Sequence, residues 1–105
     1  MTYRLRYHPA VSEDLNRIVE MITDYAGPRV ARRKLDEIAR VAQGLKTLPH
    51  KGSRRDHVLP SLRAIPAAKR AVIVFTIDED LREVHVLTIT YAGADWITRA
   101  EARGK

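Results

Sequence analysis

Apolar and polar residues alternate, then cluster at helical spacing, then alternate again along this chain. Tyr3-Arg4-Leu5-Arg6-Tyr7 alternates and is rich in strand formers, which predicts a short first strand ended by His8-Pro9. Val11, Leu15, Ile18, Val19, Ile22 and Tyr25 then recur at helical spacing and predict a first helix over Pro9 to Tyr25. Proline fits its first turn, and Glu13 and Asp14 fall near the positive end of its dipole. Gly27-Pro28 stops that helix and starts a second, predicted from Pro28 to about Thr47. Leu35, Ile38, Ala42 and Leu45 form its buried stripe. So short a link predicts an antiparallel helical hairpin.

The second half is a strand region. Pro49 and Gly52 mark a loop that continues through Arg54-Arg55-Asp56-His57 toward Pro60. Leu62 to Ile65 reads as a short strand ended by Pro66, and Ala71 to Ile77 as the strongest strand of the chain. Asp78-Glu79-Asp80 is a polar turn. Glu83 to Thr90 alternates, with Val84, Val86 and Thr88 on one face and His85, Leu87 and Ile89 on the other. Both faces carry apolar residues, so this strand is expected to be covered on both sides. Tyr91 to Trp96 leaves the sheet and a short polar tail follows. The expected fold class is α+β: an N-terminal strand, an antiparallel two-helix hairpin, then a three-stranded antiparallel meander, with the helices packed on one face of the sheet. The first strand must pair within the same sheet, because an isolated strand is unstable.

Composition adds a partner class. Residues 1–105 fit a single domain with one modest core. The chain carries a formal charge of +6, yet the stretch from Arg29 to Arg70 holds twelve basic residues against Asp36, Glu37 and Asp56 alone. That block suggests an anionic partner such as nucleic acid, a ribonucleoprotein or an acidic protein segment; the plainer reading is a solubilising surface. There is no cysteine, which suits a reducing cytoplasm and removes disulfides and cysteine metal sites. No stretch has the roughly 20 apolar residues of a membrane span, and the N-terminal stretch lacks the apolar region of a secretory signal, so a soluble, unprocessed, cytoplasmic protein is expected. His8, His50, His57 and His85 show no ligand spacing on one element, so no metal is expected. There is no glycine-rich phosphate loop, and neither a cofactor nor a small-molecule substrate is expected.

The ordered set of segments resembles the ParE/RelE toxin superfamily over nearly the whole chain. Tyr7-His8-Pro9 followed by Asp14-Leu15 and Ile18 is similar to the family's strand-to-helix start. Leu45, Leu48-Pro49 and Gly52 resemble its helix-to-loop segment. Leu62-Arg63 and the strand after it resemble its arginine-bearing strand and core strand. Val86 to Ile89, then Tyr91-Ala92-Gly93-Ala94-Asp95-Trp96, resemble the ending of the ParE branch. The resemblance implies the toxin of a type II toxin–antitoxin system, a growth inhibitor of the plasmid-stabilising kind, silenced by a cognate antitoxin with a disordered tail. ParE-like members block DNA gyrase and are not nucleases; RelE-like members cleave messenger RNA at the ribosome. A third possibility is an inactive domain that only binds its antitoxin.

Metal-free RNA cleavage needs a base, an acid and cations that stabilise the phosphorane. His50, Lys51, Arg54, Arg55, His57 and Arg63 cluster in sequence, and the resemblance selects Lys51, Arg54, Arg63 and Tyr91 as the catalytic set of a nuclease. Against that reading, RelE-like enzymes place an arginine, histidine or tyrosine on or just after the last strand; this chain has Thr88, Ile89, Thr90 and Tyr91 there and no histidine or arginine until Arg99, and although Tyr91 is a candidate substitute, its neighbours Gly93, Asp95 and Trp96 resemble the ParE branch. The favoured expectation is therefore gyrase binding through Lys51, Arg54, Arg55, Arg63, Tyr91 and Trp96. Arg63 has the alternative of pairing with Asp95 or Asp56 inside the fold, Trp96 that of a lid over the core edge, and His50 and His57 that of plain polar loop residues. The antitoxin is expected on the hairpin, at Arg29, Val30, Arg33, Arg40 and Val41.

Overall fold

The fold is taken from a computed structural model, which describes residues 2–104. The element order is β1 (Arg4–Tyr7), α1 (Val11–Ala26), α2 (Pro28–Gly44), β2 (Ser53–Arg54), β3 (Leu62–Ala67), β4 (Ala71–Asp78), β5 (Glu83–Tyr91) and α3 (Trp96–Arg103). The α+β class, the hairpin and the β3–β4–β5 meander agree with the sequence pattern. The five strands form one sheet in the order β1-β5-β4-β3-β2. The N-terminal strand finds its partner in β5, parallel, with Leu5 beside Val84 and Tyr7 beside Val86. The other neighbouring strands pair antiparallel.

Gly27 sets the hairpin. It adopts φ +89°, a left-handed value that favours glycine, and its N–H closes on the Thr23 carbonyl while Pro28 opens α2. Val11, Ile18 and Ile22 of α1 and Ala31, Ile38 and Ala42 of α2 point to the sheet. There they meet Ile73, Phe75 and Ile77 of β4 and Val84, Val86 and Ile89 of β5. Each large side chain buried this fully contributes about 1.5–3 kcal/mol. Helix α1 lies over β5, and α2 over β3 and β4.

Four features depart from the sequence expectation. The tail after Trp96 is a helix. Asp95 starts it, accepting from the Thr98 N–H at 3.2 Å. Helix α3 packs on the face of the sheet opposite the hairpin, where Ala100 joins Leu62, Val74 and Leu87. Helices therefore cover both faces. Second, β5 carries a bulge: Thr88 sits opposite Val74 and Val86 opposite Phe75, so Leu87 has no partner. The extra residue reverses the alternation, and Ile89 joins the face of Val84 and Val86 while Leu87 turns to α3. Third, β3 runs through Pro66 to Ala67; β2 covers only Arg63 and Ala64, which leaves this part of β3 at the sheet edge, where a residue without an N–H is tolerated. Fourth, α2 ends at Gly44, three residues short of Thr47, although Leu45 stays fully buried.

Asp14, read in the sequence as a dipole partner, is 1% exposed. Its carboxylate takes Arg103 in a two-pronged contact at 2.6 and 3.0 Å, Thr88 Oγ1 at 2.8 Å and the Ile89 N–H at 3.2 Å. Burial pushes the Asp14 pKa up, but the hydrogen bonds from Arg103, Thr88 and Ile89 outweigh it and hold the carboxyl below its ordinary value.

Candidate functional site

The basic loop is fixed by Gly52. Its φ is +75°, and a Cβ there would collide with the carbonyl oxygen of Ala64, so the loop lies directly against β3. That approach makes β2 possible and sets Arg54 opposite Arg63 in the ladder. The Lys51 carbonyl then accepts from Arg63 Nη1 at 3.4 Å. Arg54 and Arg63, with His50, Ser61, Ile77 and Glu79, line an open pocket of about 260 Å³.

Alternation along the chain divides the basic residues. Arg54 turns toward the hairpin side and Arg55 toward α3, where its guanidinium lies over the Trp96 ring at 6.0 Å. Trp96 is half-buried against Leu62, Val74 and Leu87, as a lid over the second core would be. Of Lys51, Arg54, Arg55 and Arg63, only Arg54 forms an ion pair among the described residues, 2.9 Å to Asp56. Arg63 pairs with neither Asp56 nor Asp95. Asp56 is committed to Arg54 and to the Ser61 N–H, which hold its carboxyl below the usual range, and Asp95 is committed to Thr98. The guanidinium of Arg63 is half-exposed beside Lys51, with donors left for a partner.

Two further residues complete the rim. His50 Nε2 lies 2.8 Å from Glu79 Oε1, and Tyr3 donates to Glu79 Oε2 at 3.1 Å. The His50 contact, then the Tyr3 hydroxyl, hold the Glu79 carboxyl below its ordinary value against the effect of burial. Glu79 was read in the sequence only as part of a polar turn; nothing in its local pattern announces a histidine twenty-nine residues upstream. His57 is exposed on the outer loop, and His85 bonds Glu83 at 2.8 Å on the sheet.

Tyr91 does not join this group. It is 3% exposed, and its hydroxyl meets that of Tyr25 at 3.0 Å while Arg70 covers its ring. The contact with Tyr25 raises its pKa, as does burial. Tyr91 pairs with Ala71 and Arg63 with Phe75. They are two strands apart and are offset along β4 by four residues, which alone is about 13 Å at about 3.3 Å per residue. Tyr91 is thus buried in the core and stands apart from Lys51, Arg54 and Arg63.

On α2, Arg29, Arg33 and Arg40 are exposed and fall on one side of the helix at spacings of four and seven residues. Val30 and Val41 are half-buried and pack against the core. Among the described residues, no three His, Asp or Glu side chains converge as metal ligands. Nor, among those residues, is any helix long and apolar enough to cross a membrane.

No curated protein matches the chain in sequence. Among solved structures, the chromosomal ParDE toxin–antitoxin system of P. aeruginosa is similar at TM-score 0.72 and 18% identity, covering 87% of this chain and 97% of that one. The RelBE2 toxin–antitoxin complex of Mycobacterium tuberculosis is similar at TM-score 0.60 and 18% identity, covering 88% of this chain and 100% of that one. A mutant of E. coli toxin RelE in the free state gives TM-score 0.64 at 11% identity, covering 99% and 98%. These likenesses are likenesses of fold. The family described as the ParE toxin of the type II toxin–antitoxin system parDE matches residues 5–96. The chain therefore belongs to the ParE toxin family, a family of type II toxin–antitoxin system toxins.

Proposed function

We propose that this toxin acts in the cytoplasm by binding DNA gyrase without cutting nucleic acid, and that a cognate antitoxin silences it. The observation that carries this reading is the separation of Tyr91 from the basic loop. A nuclease built from Lys51, Arg54, Arg63 and Tyr91 needs all four around one phosphate. Here Tyr91 is buried against Tyr25 and lies well away from Arg63. Without it, Lys51, Arg54 and Arg63 form a cationic surface, which serves binding. Arg55 and Trp96 extend that surface around the sheet edge. Arg29, Arg33 and Arg40 beside Val30 and Val41 offer the antitoxin a charged stripe with apolar anchors.

One observation favours the RelE-like reading, a ribosome-dependent endoribonuclease. His50, paired with Glu79, shares a pocket with Arg54 and Arg63, and a carboxylate-oriented histidine beside two arginines is a workable base for a 2′-hydroxyl. Expression in cells separates the readings. Gyrase inhibition gives filaments and DNA-damage signalling; RNA cleavage gives rapid translation arrest with truncated messages. A domain that only binds its antitoxin gives neither.

A further inference from the structure

Where β1 ends, the α3 face of the sheet holds another open pocket, of about 260 Å³, with Arg6, His8, His85 and Arg103 on its walls beside Tyr7 and Leu87. Arg6 of β1 and His85 of β5 are partners in the parallel ladder, so their side chains leave by one face. His8 follows the strand, and Arg103 reaches the pocket from the last turn of α3. No carboxylate among the described residues lines it. Three sheet spacings, about 14 Å, separate β1 from β3, so this pocket is distinct from the one beside Arg63. Its donors are largely uncommitted. The Arg6 guanidinium makes no hydrogen bond among the described residues; its closest carboxylate oxygen, on Glu83, is 3.8 Å away. Arg103 makes three hydrogen bonds, to Asp14 and the Leu87 carbonyl, and further N–H groups of its guanidinium remain. His8 Nδ1 accepts the Ala10 N–H at 3.1 Å, so in the neutral ring Nε2 carries the proton and is a donor.

We infer that this pocket binds a phosphate dianion, free or at the end of a phosphorylated molecule. Charge decides which anion fits. Arg4 and Arg6 contact Glu83, and Arg99 and Arg103 contact Asp14, four arginines against two carboxylates. With the histidines neutral, two positive charges are left in excess. A phosphate monoester carries about −1.5 to −2 at neutral pH and balances them, whereas a carboxylate leaves half uncompensated. Shape points the same way. The donors of Arg6, His8 and Arg103 come from β1, the turn after it and α3, and a tetrahedral group offers an oxygen to each. A planar carboxylate has only its two oxygens. His85 Nε2 is held by Glu83 at 2.8 Å, so its ring serves as a wall. The volume falls below the roughly 300–1,000 Å³ of sites that enclose a drug-sized ligand, so the pocket takes the phosphate and leaves the rest of a larger molecule outside.

The test uses the full chain and the NMR signals of its four histidine rings, which report on both basic regions. Inorganic phosphate, added at constant ionic strength and neutral pH, should shift the rings of His8 and His85 and leave those of His50 and His57 in place. Acetate should act there at least tenfold more weakly. Arg6→Gln changes a side chain that is 61% exposed; it should fold as the parent does and weaken phosphate at least tenfold. A 5′-phosphorylated trinucleotide, compared with the same trinucleotide lacking that phosphate, identifies the source. A response of His8 and His85 that needs the terminal phosphate makes the ligand a phosphorylated molecule, and a response to inorganic phosphate alone makes it the free ion; either supports the site. Equal shifts with acetate, shifts at His50 and His57 instead, a trinucleotide response indifferent to the terminal phosphate, or unchanged binding by Arg6→Gln would each overturn the inference. No gyrase or ribosome enters the measurement, so its failure is distinct from failure of the proposed function.

Discussion

Arg103, in the last turn of α3, closes on Asp14, in the first turn of α1, through two guanidinium nitrogens at 2.6 and 3.0 Å. The pair sits where β1 stops. Beyond Tyr7 there is no strand beside β5, and the two side chains take over its backbone groups: Asp14 accepts the Ile89 N–H, and Arg103 donates to the Leu87 carbonyl at 3.0 Å. Arg99 adds a third charge at 3.6 Å. The ion pair thus seals the bulged end of a central strand and ties the two helical layers together across it.

Removing one member should be costly. Asp14→Ala leaves the Ile89 N–H and the Arg103 guanidinium without their partner, and Arg103→Ala leaves a buried carboxylate with only the longer contact to Arg99 for its charge. Each should destabilise the fold by about 3–5 kcal/mol in chemical denaturation. A loss of under about 1 kcal/mol from both would mean that the contact is incidental.

The same pair predicts acid sensitivity. The Asp14 carboxyl is held below its unfolded value, so it stabilises the fold above that value, about 3.9, and loses the contribution as pH falls through the folded pKa. Asp56, Glu79, Glu83 and Asp95 are shifted in the same direction and add to the trend. Stability should hold from neutral pH to about 5 and decline below about 4. In Asp14→Asn the acid decline should be shallower; an unchanged slope would remove Asp14 from the account.

Gly52→Ala tests how the basic loop is built. The residue would need both a left-handed φ and space that the Ala64 carbonyl occupies. It should cost about 1–3 kcal/mol and lift Lys51 and Arg54 away from Arg63. Toxicity should fall more than the loss of stability accounts for, compared with a core variant of equal melting temperature.

Much of this was legible in the sequence. The hairpin, the meander and the basic loop follow from period and turn chemistry within short windows. The bulge at Leu87 was not, because a single added residue leaves no local mark while reversing the facing of Thr88 and Ile89. Nor was Asp14–Arg103, which joins residues eighty-nine positions apart. The α3 helix is hidden by its composition: Trp96 to Arg103 has one fully buried residue, Ala100, and its cap, Asp95, follows Gly93 in a stretch whose pattern marks only the exit from the sheet. Within the site, Arg63 and the loop cations were readable as neighbours. The burial of Tyr91 and the approach of Glu79 to His50 depend on tertiary packing.

The loop cations should serve the target and not the fold. A variant with Lys51, Arg54, Arg55 and Arg63 all changed to alanine loses one surface ion pair, one cation–π contact and the long hydrogen bond from Arg63 to the Lys51 carbonyl, together about 1–2 kcal/mol. It should remain folded, with a melting temperature lowered by a few degrees, and should lose toxicity in cells. Unfolding would make these residues structural; retained toxicity would place the target contact elsewhere.

The most direct measurement sets purified toxin, freed of antitoxin, against DNA gyrase in a supercoiling assay, with translating ribosomes carrying a defined message assayed in parallel. Inhibition by binding predicts loss of supercoiling at toxin concentrations comparable to the enzyme, with the message intact and with His50→Ala as inhibitory as the parent. Cleavage of the message at the ribosome, abolished by His50→Ala, with supercoiling untouched, would contradict it.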